Sequence, residues 1–224
     1  MERGILYVVA TPIGNLEDIT LRALKVLKEV DFIACEDTRQ TKKLLDRYKI
    51  KKPQVSYHQH TRIQKIDYII NQIAQGKSCA LVSDAGTPCI SDPGRVLVAR
   101  AYDAGVKVIP IPGPSALISA ASISGLPVDK FIFLGFPPHK KGRRKFFEQI
   151  RDNKYTVILF ESPYRILKTL GQLRDVVDDR RIVVCRELTK MFEIVYQGTI
   201  KEVISKLEKE KIKGEFVVVV EAKK

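Results

Sequence analysis

The residues best suited to chemistry lie in a short turn that follows an apolar run. Residues 81–94 read LVSDAGTPCISDPG, in which two aspartates, two glycines and two prolines follow Leu81 and Val82. Turns of this composition often hold a ligand. The segment has neither the G-x-G-x-x-G pattern of dinucleotide sites nor the G-K-[ST] sequence of phosphate loops. It therefore predicts a ligand site of another kind.

Three further segments have the same character: TPIGN (11–15), CEDTR (35–39) and PGPSA (112–116). Each follows a run of residues that is predicted to be a strand. In an open α/β sheet the carboxyl ends of the strands lie at one edge, and ligands bind there. For a single segment, tight turn closure would explain the glycines and prolines. The four segments together, with Asp, Thr and Ser at their tips, favour a ligand site.

Two of these segments suggest the kind of ligand. Ser115 is a good N-cap for a helix that begins at Ala116, and the N–H groups of the first turn can receive an anion or a carboxylate. Asp84 can accept hydrogen bonds from a ribose or an amino group, although it could equally cap the turn at Gly86. S-adenosylmethionine (SAM), a nucleoside with a carboxylate and no phosphate, fits this description. We expect Asp84 to serve the ligand and Asp92 to start the next helix.

Short apolar runs alternate with helical patterns along the chain, which predicts an α/β fold. The first half has the strand and helix alternation of a parallel sheet, and a continuous helix is expected over 16–30. A small-residue helix at 112–127 marks a change of pattern. We place the domain boundary there, which gives an N-terminal α/β domain at 1–113 and a C-terminal α/β domain at 114–224. Fewer helices separate the strands of the second half, which predicts a mixed sheet.

The composition excludes several classes of protein. The 224 residues are 45% hydrophobic, enough for a substantial core, but no apolar stretch reaches the length of a membrane span. The amino terminus is too short for a signal peptide and enters a predicted strand, so a cytoplasmic protein without a membrane segment is expected. The four cysteines form no C-x-x-C pair, which predicts reduced, packed thiols. His58, His60 and His139 are too scattered to predict a metal site.

The net charge of +13 favours a polyanionic partner such as nucleic acid. Residues 39–52 contain seven basic residues and one acidic residue, and residues 137–145 contain five basic residues and none that is acidic. The second run suits a clamp on an RNA backbone. Phe146 and Phe147 follow it directly. They could stack on a base, but packing in the core is the interpretation we favour.

Six segments, in this order, carry a resemblance to a known family: TPIGN, CEDTR, SDAGTPCISDPG, PGPSA, ESPYR and RELTKMFE. They resemble the ribosomal RNA small subunit methyltransferase I branch of the tetrapyrrole methylase superfamily, and the resemblance extends over residues 6–220. It implies two α/β domains with a SAM cleft between them, and a homodimer. It also implies methylation of the ribose 2′-hydroxyl of a cytidine in the decoding region of 16S rRNA, within the small ribosomal subunit. Longer members of the branch continue into a further segment beyond the last apolar strand. If that segment binds RNA in those members, this chain is expected to bind RNA with its basic loops instead.

The site residues follow from the resemblance and from the charges. The resemblance implies cofactor contacts from Pro12, Ile13, Gly14, Asp84, Gly86, Thr87, Ser115, Ala116, Phe160 and Leu188. The RNA-binding residues expected from their charge are Arg39, Lys140, Lys141, Arg143, Arg144, Lys145 and Arg165. A ribose hydroxyl is a weak nucleophile that gains from a general base. The candidates for that base are Glu36, Asp37, Glu161 and Glu187, with structural ion pairs across the domain junction as the alternative for the last two.

Two other functions remain open at the level of the sequence. A tetrapyrrole such as a corrin precursor is itself a polycarboxylate, so the positive charge is compatible with it as a methyl acceptor. The clustered basic segments, CEDTR and ESPYR favour the RNA branch instead. The third possibility, an RNA-binding ribosome assembly factor without catalytic activity, is disfavoured by the predicted cofactor loops.

Overall fold

The computed structural model describes residues 4–58, 61, 63–177 and 180–223. It divides into two compact units, Met1–Ser115 and Ala116–Lys224. Each unit contains its own β-sheet with helices packed against it, so the predicted α/β fold class is confirmed. The division falls two residues after the boundary that the sequence suggests.

The first unit is built on a parallel sheet. Its strands are β1 (Ile5–Val9), β2 (Phe32–Cys35), β3 (Gln54–Ser56), β4 (Cys79–Val82) and β5 (Lys107–Ile111). Its helices are α1 (Leu21–Glu29), α2 (Thr38–Arg47), α3 (Ile63–Ala74) and α4 (Gly94–Asp103). The strand order is β3-β2-β4-β1-β5, and every pairing is parallel.

Helices cover both faces of this sheet. Residues of α1 and α2 pack on one face and residues of α3 and α4 on the other. Strands that are buried on both faces have continuous apolar sequences. In β1, Val9 packs in the core with α1 and α2, and Leu6 packs in the core with α3 and α4. The neighbouring strands β1 and β4 are followed by helices on opposite faces, which is the arrangement that opens a crevice beyond the carboxyl ends of the strands.

The helix expected over 16–30 is interrupted. A short 3-10 helix, Leu16–Asp18, ends at Ile19, whose backbone is extended, and α1 then begins at Leu21. The cause is Thr20, whose side chain accepts a hydrogen bond from the backbone N–H of Ala23 and so caps a new helix. The prediction of one continuous helix is therefore wrong at its first turn.

The second unit contains a mixed sheet. Its strands are β6 (Phe131–Phe133), β7 (Thr156–Glu161), β8 (Arg181–Arg186), β9 (Ile194–Thr199) and β10 (Phe216–Val220). Its helices are α5 (Ala116–Ile123), α6 (Arg143–Arg151), α7 (Ile166–Arg174) and α8 (Ile200–Leu207). The strand order is β6-β7-β10-β8-β9, in which β6 and β7 are parallel and the other pairs are antiparallel.

One core joins α6, α7 and α8 to the sheet of the second unit. Phe147 is buried in this core and Phe146 packs against it, so the core interpretation of these two rings is confirmed. Cys35, Cys79 and Cys185 are free and buried, and Cys89 is free and partly buried. The prediction of reduced, packed thiols is confirmed for these four residues.

Candidate functional site

The loops after β1 and β4 are joined at the carboxyl edge of the first sheet. The N–H of Thr11 donates to the carbonyl of Gly86 at 2.9 Å, and the N–H of Gly86 donates back to the carbonyl of Thr11 at 3.0 Å. The hydroxyl of Thr11 also donates to the carbonyl of Ser83 at 3.2 Å. These bonds hold the TPIGN and SDAGTP segments side by side.

The loop after β5 joins the same edge through Gly86 and Thr87. The hydroxyl of Thr87 donates to the carbonyl of Pro114 at 3.0 Å. Gly86 has a φ of +81°, and a Cβ atom placed there would lie 3.2 Å from Cγ2 of Ile13 and 3.7 Å from the carbonyl of Pro114. Only glycine fits this position without strain or crowding. Three of the four predicted ligand segments thus meet around one glycine.

The fourth segment is attached through Asp84. Its carboxylate accepts a hydrogen bond from the backbone N–H of Asp37 at 2.9 Å, which ties the SDAGTP loop to the CEDTR loop. Asp37 in turn caps α2 by accepting from the N–H of Arg39 at 2.8 Å, and the two side chains form an ion pair at 2.7 Å. Asp84 is therefore partly a loop-fixing residue, and one of its oxygens, Oδ2, has no hydrogen bond within the described part of the chain.

The carboxyl groups at this edge differ in acidity. Burial raises the pKa of Glu36, and the neighbouring Asp84, Asp92 and Asp37 carboxylates raise it further because like charges disfavour ionisation. Burial likewise raises the pKa of Asp84. Hydrogen bonds from Arg39 lower the pKa of Asp37 to about 2. At this edge the pKa values of Glu36 and Asp84 are therefore raised while that of Asp37 is lowered.

Asp92 has the structural role expected of it. Its Oδ1 accepts hydrogen bonds from the N–H of Cys89 at 2.8 Å and of Gly94 at 2.9 Å, which fixes the start of α4. Asp84 and Asp92 occur in similar sequence contexts, yet only Asp84 lies at the junction of the loops.

The structure brings most of the predicted cofactor residues together in the first unit. The members at the joined loops are Pro12, Ile13, Gly14, Asp84, Gly86, Thr87 and Ser115. Ala116, Phe160 and Leu188 belong to the second unit. Phe160 lies at the end of β7, where its ring meets Phe133 edge to face at 4.8 Å, and Leu188 is buried. Contacts of these three residues with a cofactor stay predictions.

A network of buried charges forms in the second unit around Glu161. Arg165 lies 2.7 Å from Oε1 of Glu161, and the hydroxyl of Thr169 donates to Oε2 of Glu161 at 2.5 Å. The same hydroxyl accepts from Nη2 of Arg143 at 2.7 Å. The hydroxyl of Thr169 therefore links the carboxylate of Glu161 to the guanidinium of Arg143, and these three residues are buried.

The network anchors the basic loop at 137–145. Nη1 of Arg143 donates to the carbonyl of Pro138 at 2.9 Å, and Nη1 of Arg165 donates to the carbonyl of Pro137 at 3.0 Å. Nε of Arg143 also donates to Gln172 at 2.6 Å. Arg143 and Arg165 thus fix the first residues of the loop through its backbone carbonyls.

This arrangement differs from the RNA contacts expected for Arg143 and Arg165. Arg143 is only 6% exposed, and each nitrogen of its guanidinium donates within the second unit. A phosphate would have to displace buried hydrogen bonds to reach it, which is costly. The exposed cations of this segment are Lys140 and Lys141 before α6 and Arg144 and Lys145 in its first turn, where Arg144 pairs with Glu148 at 2.8 Å.

Glu187 is also held in an ion pair of the second unit. Its Oε1 lies 2.8 Å from Nζ of Lys190 and accepts from the N–H of Glu215 at 3.0 Å. Burial opposes ionisation, but these hydrogen bonds prevail and lower the pKa of Glu187. Glu161 and Glu187 are thus both held in ion pairs, as the alternative raised from the sequence has it, but each pair lies within the second unit and not across the domain junction.

Neither a metal-ligand cluster nor a membrane-spanning helix occurs in the described part of the chain. Across residues 4–58, 61, 63–177 and 180–223, no group of three or more His, Cys, Asp or Glu side chains is arranged to hold a metal ion. His60 lies outside this range. No helix in the same residues has the length and apolar character needed to cross a membrane.

The chain matches known proteins in sequence and in fold. Residues 5–204 match the family model of the tetrapyrrole (corrin/porphyrin) methylases. A protein of Halalkalibacterium halodurans named ribosomal RNA small subunit methyltransferase I is 48% identical over 98% of this chain and 76% of its own length. A protein of the same name from Thermotoga maritima is 46% identical over 98% of this chain and 99% of its own length.

The fold is also found in solved structures. A diphthine synthase superposes with a TM-score of 0.77 at 17% identity, covering 97% of this chain and 90% of the other. This likeness supports the fold, and the sequence matches identify the family. The chain belongs to the tetrapyrrole methylase family and, within it, to the ribosomal RNA small subunit methyltransferase I branch of methyltransferases.

Proposed function

We propose that the protein transfers a methyl group from SAM to the ribose 2′-hydroxyl of a cytidine in the decoding region of 16S rRNA. The observation that carries this proposal is the identity of 46–48% to relatives named for the small-subunit rRNA over nearly the whole chain. The structure supports it with a loop edge suited to a nucleoside and with an exposed cationic loop. Such a substrate agrees with the cytoplasmic location expected from the sequence.

The loop edge of the first unit has the chemistry that SAM requires. Oδ2 of Asp84 can accept from a ribose hydroxyl or an amino group. Gly86 keeps the backbone free of a side chain, and the absence of a phosphate loop agrees with a ligand that has no phosphate. We propose contacts from Asp84, Gly86 and Thr87 and from the TPIGN backbone. When bound, SAM supplies an activated methyl group, so placing the acceptor oxygen in line with it contributes much of the rate.

Among the four candidates for the general base, Glu36 is the one we propose. Asp37 caps α2, while Glu161 and Glu187 are held in ion pairs. Glu36 follows β2 at the loop edge, its pKa is raised, and it forms no ion pair with the residues that the structure describes. It would accept the proton of the 2′-hydroxyl as the oxygen bonds to the methyl carbon, and the bond from that carbon to the sulfonium sulfur would break to leave S-adenosylhomocysteine.

The exposed cations of the second unit suit an RNA backbone. Lys140 and Lys141 precede α6, and Arg144 and Lys145 lie in its first turn, where Arg144 is paired with Glu148 at 2.8 Å. The base of this segment is fixed by buried hydrogen bonds. Cations arranged in this way bind phosphates and release counterions, which makes the affinity depend on salt.

Methyl transfer from labelled SAM tests the proposal directly. The acceptors are purified small ribosomal subunits, naked 16S rRNA and a corrin precursor. We expect label in the ribosomal RNA. An RNA in which the target 2′-hydroxyl is replaced should not be labelled. Label in the corrin precursor alone would replace the proposal with tetrapyrrole methylation, and failure of SAM to bind in calorimetry would exclude both activities.

A further inference from the structure

Three segments of the second unit emerge at the same end of its sheet. In the strand register, Glu161 at the end of β7 pairs with Phe216 of β10, which pairs with Arg186 at the end of β8. The parallel strand β6 ends beside β7, where the N–H of Phe160 donates to the carbonyl of Gly135. The cationic loop after β6, the ESPYR turn after β7 and the RELTKMFE turn after β8 therefore lie at one end of the sheet.

Large apolar side chains are exposed at this end. Tyr164 of the ESPYR turn is 95% exposed, and Met191 and Phe192 of the RELTKMFE turn are 89% and 70% exposed. Phe136, at the start of the cationic loop, is also exposed. A single exposed apolar residue needs no explanation, but several at one end of a sheet indicate a binding surface.

The two turns that carry these side chains are held firmly. Arg165, next to Tyr164, bonds to Glu161 and to the loop carbonyl of Pro137. In the other turn Glu187 and Thr189 have left-handed backbones, with φ of 54° and 66°. Such conformations persist only where the surroundings impose them, and they cluster at ligand sites.

Exposed cations lie at the same end of the sheet as these rings. The segment 137–145 at this end presents Lys140, Lys141 and Lys145 to solvent, together with Arg144, which also pairs with Glu148. Single-stranded nucleic acid is bound by this combination, in which cations follow the backbone and aromatic rings stack on the bases. A protein partner would explain the apolar side chains but not the excess of positive charge beside them.

We propose that Tyr164 and Phe192 stack on unpaired bases of the RNA substrate and so select a single-stranded target. This inference rests on the proposed function, because it assigns the recognition of the same RNA. Neither ring belongs to the cofactor edge of the first unit. Phe146 and Phe147, the rings next to the basic run in the sequence, are packed against or within the core and do not take this role.

Binding of purified full-length variants to three RNA probes tests the proposal. The probes are a single-stranded oligonucleotide with the decoding-region sequence, the same strand with abasic sites around the cytidine, and its duplex. We expect Tyr164→Ala and Phe192→Ala each to weaken binding to the intact single strand by about tenfold, with little change on the abasic strand. Tyr164→Phe should bind like the wild type because the ring is retained.

Tyr102→Ala is the matched control, because Tyr102 is an exposed tyrosine (63%) on α4 of the first unit. Circular dichroism verifies that each variant is folded, and light scattering measures its oligomeric state. Unchanged affinity of both alanine variants for the intact strand, while the wild type still methylates RNA, would overturn stacking and leave the proposed function standing. A Phe192→Ala variant that changes the oligomeric state without changing RNA affinity would instead assign that turn to a protein contact and overturn its role in stacking. No binding or methylation of RNA by the wild type would reject the proposed function itself.

Discussion

Replacing Thr169 by valine should destabilise the second unit strongly, although the side chain keeps its shape. Thr169 is fully buried, and its hydroxyl makes two hydrogen bonds to charged groups, the carboxylate of Glu161 and the guanidinium of Arg143. In Thr169→Val both charged groups stay buried, and each loses a partner. Both groups keep other partners, but Oε2 of Glu161 and Nη2 of Arg143 are left buried without theirs. A buried polar atom without a partner costs more than an ordinary lost hydrogen bond because its desolvation is no longer offset.

The magnitude follows from the number and kind of bonds removed. A hydrogen bond to a charged group contributes about 1.5–3 kcal/mol, so we expect the free energy of unfolding to fall by about 3 kcal/mol or more in Thr169→Val. Thr156 is the matched control, because it is also a buried threonine of the second unit but its hydroxyl makes a single bond to the neutral carbonyl of Pro127. Thr156→Val should lose only about 1 kcal/mol.

Urea unfolding followed by circular dichroism measures both losses, since the chain contains no tryptophan to report by fluorescence. Hydrogen exchange by mass spectrometry then locates the effect. We expect faster exchange in α7 and in the loop at 137–145 for Thr169→Val, because Arg143 holds that loop through Pro138. Equal, small losses for the two variants would refute the idea that the Thr169 hydroxyl connects buried charges.

Three further changes test other parts of the structure. Gly86→Ala should lower the melting temperature more than Gly142→Ala and should weaken SAM binding in calorimetry. Both glycines have a φ of +81°, but only at Gly86 does a new Cβ meet a neighbour, Ile13. Glu36→Gln should reduce the rate of methyl transfer without loss of SAM affinity. In the wild type the rate should fall as the pH drops through the raised pKa of Glu36, because only the ionised carboxylate accepts a proton, and an unchanged acidic limb in the variant would contradict this role. Neutralising the exposed cations at 137–145 should reduce the slope of log RNA affinity against log salt concentration. The expected reduction is about one unit for each phosphate that the segment no longer binds. A slope equal to that of the wild type would show that the loop does not bind phosphates.

The loop edge of the first unit was accessible to sequence reasoning for a physical reason. Its strands are buried on both faces, so they read as short apolar runs, and the residues directly after them must lie at one edge. What the sequence does not show is how the loops are joined. The paired backbone bonds of Thr11 and Gly86, and the bond from Asp37 to Asp84, connect residues far apart in the chain.

The break before α1 escapes sequence reasoning for a different reason. The apolar spacing over 16–30 fits a helix throughout, and periodicity alone does not detect a capping threonine within the pattern. Thr20 caps the helix through a local hydrogen bond that competes with helix continuation. Exposed recognition side chains such as Tyr164 are equally hidden, because a single ring in a turn forms no pattern.

A count of charges predicts that Arg143 is exposed for RNA, whereas the helical period predicts that it is buried. In the sequence it is one cation in a basic run, and all the cations of the run look equivalent. Arg143, Phe147 and Ile150 are spaced four and three residues apart, so they share the buried face of α6. That spacing predicts that Arg143 points inward while Arg144 and Lys145 face solvent. Its partners Thr169 and Gln172 lie on α7 and are brought to it only by tertiary packing, so the sequence pattern predicts that Arg143 is buried but not which groups satisfy it.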